Sequence, residues 1–200
     1  GLEAAKTNTK NLFSDTTNNN LASTVNQSTI DSVKAEVNKL PIGPDRDGLL
    51  DLISKAQNLF DAKVKAEQEV TDAKNKVEGL FKDNNFNALN GSTNQSAIDE
   101  AKNAVAKLPA GAEKTRLENL IKDAQNLFDA KVKAEQEAAD AKNKVESLFT
   151  DNNFNVLNSS VNQTTIDDAQ KSLNKLPAGD EKDRLQQLLD KAKELMSLKL

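Results

Sequence analysis

The strongest constraint on the fold of this chain is an internal repeat of 68 residues. A leucine–phenylalanine pair recurs at even intervals, since 81 − 13 = 149 − 81 = 68. These pairs are Leu12-Phe13, Leu80-Phe81 and Leu148-Phe149. The second and third copies are identical at 42 of 68 aligned positions. Such periodicity is typical of arrays that repeat one supersecondary unit. We therefore predict three helical repeats, over 1–61, 62–129 and 130–200.

Each repeat is predicted to contain three helices. In the second copy the first helix covers Ala62 to Phe81, and a polar loop follows over 83–93. Asn94 stands where an N-cap belongs. The next helix carries an apolar stripe and stops at Pro109, because the residue before a proline disfavours the α region. That stripe is Ile98, Ala101, Val105 and Leu108. A third helix begins near Glu113.

The repeat boundary carries no signal that would end a helix. From Ala112 to Phe149 there is neither Gly nor Pro, and small or apolar residues recur every three or four positions. We therefore predict that the third helix of one repeat continues as the first helix of the next, over some 35 residues and about 50 Å. A short bend at Lys63 or Lys131 is the alternative. The predicted fold is all-α: three tandem three-helix bundles sharing helices in an elongated rod.

Lys63 and Lys131 are the only charged residues on the stripe that crosses the boundaries. A lysine that binds a partner is one interpretation. The favoured one is structural, because at a junction neither core covers the stripe and a lysine there can keep its ammonium in water.

Composition excludes most enzyme chemistry. His, Cys, Trp and Tyr are absent, so thiol and imidazole catalysis and the usual zinc and haem ligands are excluded. We predict no enzymatic activity, no catalytic or metal residues and no cofactor. The 27 basic and 31 acidic residues leave a net charge of −4, which indicates neither nucleic acid nor an anionic membrane as partner. No apolar run is long enough for membrane insertion.

The polar loops carry a partial calcium motif. Asp83, Asn85 and Asn87 occupy positions 1, 3 and 5 of an EF-hand pattern, as do the equivalent residues 151, 153 and 155. The glycine of position 6 and the glutamate of position 12 are missing. We therefore expect these residues to form turns rather than a calcium site.

Phe86 and Phe154 lie in the same polar loops. Exposed rings could anchor a partner protein, but small bundles are short of core. We expect both rings to fold back over the end of a bundle. The first copy has Asn18 at this position, so the ring is not required for the fold.

The spacing of these motifs resembles a known helical repeat. The string from Val145 through Leu148-Phe149, Asn162-Gln163, Leu176-Pro177 and Leu185 to Ala192 is similar to repeats of Gram-positive cell-wall proteins related to the Cry1Ac toxin domain D-VI. The resemblance covers essentially the whole chain. It implies a spectrin-like three-helix fold and an extracellular, wall-associated setting, and it brings no catalytic residues.

A structural function is expected on these grounds. The chain would be a monomeric spacer or stalk that projects an adhesive or other domain from a cell wall. Gly1, followed directly by helical sequence, indicates a piece of a longer protein. The alternative is an adhesin module that binds a host protein through a helix face repeated in each copy, where repetition adds avidity.

Overall fold

The computed structural model describes residues 1–199, which form seven α-helices. They are α1 (Leu2–Lys10), α2 (Gln27–Asn38), α3 (Pro44–Glu78), α4 (Gln95–Ala106), α5 (Ala112–Glu146), α6 (Gln163–Asn174) and α7 (Asp180–Ser197). Apart from three isolated bridges, this part of the chain contains no β-structure. The prediction of an all-α fold made of three tandem helical units is confirmed.

Two of the helices cross the predicted repeat boundaries without interruption. Helices α3 and α5 each contain 35 residues and are therefore about 50 Å long at 1.5 Å per residue. Pro44 begins α3, where its fixed φ suits the first helical position. The continuous helices are confirmed at both Lys63 and Lys131.

The predicted end of the boundary helix was three residues too late. We expected it to reach Phe81, but α3 ends at Glu78 and Gly79 follows as its C-cap. Phe81 instead pairs with Leu89 in an isolated antiparallel bridge. An apolar stripe does not show this difference, because Leu80 and Phe81 are buried even though they lie beyond the end of the helix.

The contacts divide the chain into two compact units. The first contains 1–79 and 99–121, and the second contains 80–98 and 122–200. In the first unit, α1, α2 and α3 pack against one another. Their core consists of Ala5, Leu12, Phe13, Val25, Ile30, Val33, Val37, Leu49, Ile53 and Ala56.

In the second unit, α6 packs on α7, and the end of α5 contributes to the same core. That core consists of Ala141, Val145, Leu148, Phe149, Leu157, Ile166, Ala169, Leu173, Leu176, Leu185, Leu189 and Ala192.

The apolar stripe predicted for α4 is buried at all four positions, Ile98, Ala101, Val105 and Leu108.

Asparagines begin the middle helix of each repeat, as predicted. Asn26 and Asn162 each accept from the backbone N–H of the residue three positions on, and a threonine there completes a capping box. Asn94 Oδ1 accepts from Ala97 N at 2.9 Å. Such caps satisfy amides that have no partner within the helix, at about 1 kcal/mol each.

Candidate functional site

The polar loops that carry the calcium-like motif are tight turns closed by backbone pairing. In the second repeat, Lys82 N donates to Ala88 O and Asn90 N donates to Leu80 O, both at 2.9 Å. The Asp83 carboxylate accepts from Asn85 N at 3.0 Å, and Asp151 accepts from Asn153 N at the same distance. Each aspartate therefore forms a turn within its own loop, which is the role predicted for it.

Residues 1–199 contain no group of three or more carboxylates, cysteines or histidines that could hold a metal ion. Asn155, at position 5 of the motif, accepts instead from Lys191 Nζ at 3.0 Å. The positive charge of the Lys191 ammonium beside this loop oxygen repels a second cation at the same place. The absence of a metal site stays a prediction, and a calcium titration tests it.

Phe86 and Phe154 have left-handed backbones, with φ of 55° and 56°. A bulky side chain is strained in this region by about 1–2 kcal/mol. Both rings make edge-to-face contacts with a core phenylalanine, Phe81 at 5.2 Å and Phe149 at 5.5 Å between centroids. Such pairs contribute about 0.5–1.5 kcal/mol beyond their burial. Phe154 packs against the core of its bundle, as predicted.

The two lysines at the repeat boundaries lie on exposed helical segments. We call 61–68 and 129–136 the junction segments; both read Asp-Ala-Lys-Val-Lys-Ala-Glu-Gln. Every residue in them is exposed except Val64 and Val132, which are half-buried. Lys63 and Lys131 are therefore both exposed, and the structural interpretation of the two lysines stays a prediction.

A salt-bridge cluster that the sequence analysis did not identify joins neighbouring helices. Arg184 donates to Glu146 at the end of α5 at 2.8 Å, and to Glu181 in its own helix at 2.6 Å. Arg116 makes the equivalent pair with Glu78 and Glu113. The sequence contains a signal for this cluster, because a glutamate and an arginine recur 38 residues apart in two copies.

The cluster shifts the pKa values of its members. Burial acts to raise the pKa of Glu146, but hydrogen bonds from Arg184 and Lys142 outweigh it and lower the pKa overall. The hydrogen bond from Arg184 lowers the pKa of Glu181. Both carboxylates are stabilised in their charged form by partners that already occupy them. The cluster therefore joins neighbouring helices through charged hydrogen bonds.

The surface grooves are open and shallow. One groove, of about 480 Å³, lies between α1 and α2 and is lined mainly by asparagine, serine and threonine side chains, with Glu36 held by Asn8 at 2.8 Å. It has no aromatic wall and no cluster of charge. Across the described part of the chain, no helix combines the length and apolar character needed to cross a membrane.

Comparison with known proteins gives one result. The sequence profile of the family described as "Pesticidal crystal protein Cry1Aa, domain IV" matches three times in tandem, over 1–62, 68–130 and 135–197. No curated protein matches this chain, and no solved structure matches it. The matches therefore cover nearly all of the chain and follow its internal repeat.

Proposed function

The chain belongs to the Cry1Aa domain IV family, and from that premise we propose that it is a structural spacer. In this proposal it is a stalk segment of a bacterial cell-surface protein that projects an adhesive or other functional domain from the cell wall. The observation that carries the proposal is the pair of uninterrupted 35-residue helices across the repeat boundaries.

A continuous helix suits a spacer for a mechanical reason. Flexible linkers sample many end-to-end distances, whereas a helix keeps a rise of about 1.5 Å per residue. The residues of the junction segments are exposed apart from the half-buried Val64 and Val132, so this part of each helix has little side-chain packing to support it. Salt bridges four residues apart support this exposed helix, as between Lys65 and Glu69 and between Lys133 and Glu137.

The distribution of exposed apolar residues supports the spacer over a repeated adhesive face. The large exposed hydrophobics among residues 1–199 are Ile42, Val156 and Leu198. Ile42 is replaced by Ala110 and Ala178 in the other copies, and Val156 by Ala88 and Asn20. An avidity-based adhesin needs the same apolar anchor in each copy, and these anchors do not recur.

The spacer proposal is tested by breaking the exposed helices. Proline at Ala66 or Ala134 removes a helical hydrogen bond and clashes with the preceding turn, at about 3 kcal/mol or more. Both alanines are exposed, so the cores on either side should survive. We expect the maximum dimension in small-angle X-ray scattering to fall while circular dichroism retains most of the helical signal.

Ala66→Lys and Ala134→Lys are the matched controls, because lysine is a good helix former at an exposed position. They should leave the scattering unchanged. An unmutated protein that already scatters as flexibly joined beads would contradict the spacer.

The surface setting is tested separately: an antibody against this segment should label intact cells, and labelling only after lysis would refute a wall-attached stalk.

A further inference from the structure

Asn90-Gly91 is the one asparagine–glycine dipeptide in the sequence. It lies at the end of the polar loop of the second repeat, and both of its residues are exposed. The equivalent dipeptide of the third repeat is Asn158-Ser159, and that of the first is Ala22-Ser23. The three copies thus present one loop with three different chemical reactivities.

We infer that Asn90 is a site of spontaneous deamidation, so that one of the three repeats changes its chemistry with age. The backbone nitrogen of Gly91 attacks Cγ of Asn90 and forms a five-membered succinimide. The Cγ–Nδ2 bond breaks and ammonia leaves. Water then opens the ring at either carbonyl and gives aspartate or isoaspartate, so the sum is asparagine plus water to acid plus ammonia.

The structure leaves the attacking amide accessible. Gly91 has no side chain to obstruct its nitrogen, and a Cβ built at this position would meet nothing within 4 Å. Glycine also gives the backbone the freedom to rotate toward the attack geometry. The reaction therefore needs only a local rearrangement of an exposed loop, and no unfolding of the core.

The carbonyl under attack is already polarised. Asn90 Oδ1 accepts hydrogen bonds from Ser92 N and Ser92 Oγ, each at 3.3 Å. As the tetrahedral intermediate forms, negative charge develops on this same oxygen. Donors aimed at such an oxygen stabilise the transition state. Ser92 is thus a positioning residue for the reaction.

Isoaspartate would disrupt the loop. It reroutes the main chain through the side chain and adds a methylene between the amide nitrogen and the carbonyl of residue 90. Asn90 N donates to Leu80 O at 2.9 Å, and Asn90 O accepts from Thr93 N at 3.0 Å. The longer backbone cannot keep both bonds, so the pairing of Phe81 with Leu89 should weaken in the second repeat alone.

The test uses the full chain, held folded in mildly alkaline buffer and sampled over time by peptide mass spectrometry. We expect conversion at Asn90 to be many-fold faster than at Asn158, and isoaspartate to be the main product in an isoaspartyl methyltransferase assay. Gly91→Ser gives the second repeat the dipeptide of the third and should reduce conversion to the level of Asn158. Ser159→Gly should raise conversion at Asn158.

Ser92→Ala separates the two contributions. It removes one donor to Asn90 Oδ1 and keeps Gly91, so it should slow conversion less than Gly91→Ser does. Circular dichroism before incubation confirms that each variant is folded. Equal conversion at Asn90 and Asn158 in the unmutated chain, or conversion at Asn90 that persists in Gly91→Ser, would overturn the inference.

Discussion

The first and third repeats fold into the same helical unit, but different polar interactions stabilise each of them. Their apolar positions correspond closely: Ala5 and Ala141, Ile30 and Ile166, and Ala56 and Ala192 are all buried at equivalent places. The exception is Thr9, which is fully buried where the third repeat has Val145. Thr9 Oγ1 donates to Ala5 O at 2.7 Å, so its hydroxyl is satisfied within α1.

The polar clusters do not correspond. Gly48 and Lys10 occupy the places of Arg184 and Glu146, so the first repeat lacks the pairing between helices that the third repeat has. Each of the two repeats has a reciprocal pair of amides, but at different positions: Gln27 and Gln57 exchange hydrogen bonds at 2.8 and 2.7 Å in the first. In the third, Gln170 and Gln186 do so at 3.0 and 3.3 Å. The comparison teaches that apolar positions specify this fold, while the polar contacts adjust its stability.

The basic residue in the first turn of the third helix of each repeat, which reaches back toward the middle helix, also differs. In the third repeat, Lys182 Nζ donates to Leu176 O at 3.0 Å, just beyond the end of α6. In the first repeat Arg46 takes this place and reaches Asn38 at 3.4 Å, while its Nε is buried without a partner. A buried donor without an acceptor costs about 1–3 kcal/mol. The third repeat should therefore be the more stable of the two.

Loss of a core leucine should have the largest effect. Leu148→Ala and Leu12→Ala each remove a buried side chain and should destabilise their repeat by about 2–5 kcal/mol. Hydrogen exchange resolved by repeat measures the effect, because the chain lacks Trp and Tyr as fluorescence probes. Val156→Ala, at a residue that is 59% exposed, is the control and should change little. Unaltered exchange in both leucine variants would show that the core is assigned to the wrong face.

Substitution of Phe154, the residue with the left-handed backbone, should have the next largest effect on the free energy of unfolding. Phe154→Asn gives the third repeat the residue of the first, which tolerates φ of 59° at Asn18. The lost ring burial should outweigh the relieved strain, for a net cost of about 1–2 kcal/mol. Thermal unfolding followed by circular dichroism measures it. Asn18→Gly keeps the backbone freedom with no ring at stake and should cost less; a stabilised Phe154→Asn variant would contradict the value assigned to the ring contact.

Removal of the arginine cluster should have a smaller effect that depends on pH. Arg184→Ala should cost about 0.2–1 kcal/mol at neutral pH, because its partners are partly exposed. The pKa values of Glu146 and Glu181 are lowered in the folded chain. Their contribution is therefore complete above the ordinary glutamate pKa of about 4.3 and is lost as the pH falls through the lowered values.

The difference in the free energy of unfolding between Arg184→Ala and the unmutated protein should accordingly become smaller in acid. Denaturant titrations at a series of pH values measure it. The first repeat has no equivalent cluster, so hydrogen exchange of α2 should not respond to this substitution at any pH. A difference that stays constant into strong acid would show that Arg184 acts through packing of its side chain rather than through charge.

Calcium comes last in this order, because we expect it to leave the melting temperature unchanged. The third-repeat loop has Asp151, Asn153 and Asn155 at the first positions of the motif, but the first-repeat loop has Asp15, Thr17 and Asn19. If the motif bound calcium, the ion would raise the melting temperature of the second and third repeats but not of the first. We expect melting curves with calcium and with a chelator to coincide, and a rise of several degrees would make Asp83 and Asp151 ligands.

Much of the fold followed from the sequence, because its main features are local. The asparagine caps and the absence of any helix-ending residue between Ala112 and Glu146 are properties of neighbouring residues, and the 68-residue period repeats those local signals three times. Helix formation depends on just such short-range signals. The continuous helices and the buried stripe of α4 were therefore predicted correctly.

The tertiary structure decided what depends on distant partners. The end of α3 at Glu78 follows from the bridge between Phe81 and Leu89, and a periodic stripe contains no information about that pairing. The left-handed backbone of Phe154 recurs at Asn18, which has no ring, and the same backbone pairing between separated residues closes both loops. The contacts of Arg184 with Glu146 join residues 38 apart in sequence. Each is a contact between separate segments, and only the packed chain brings those segments together.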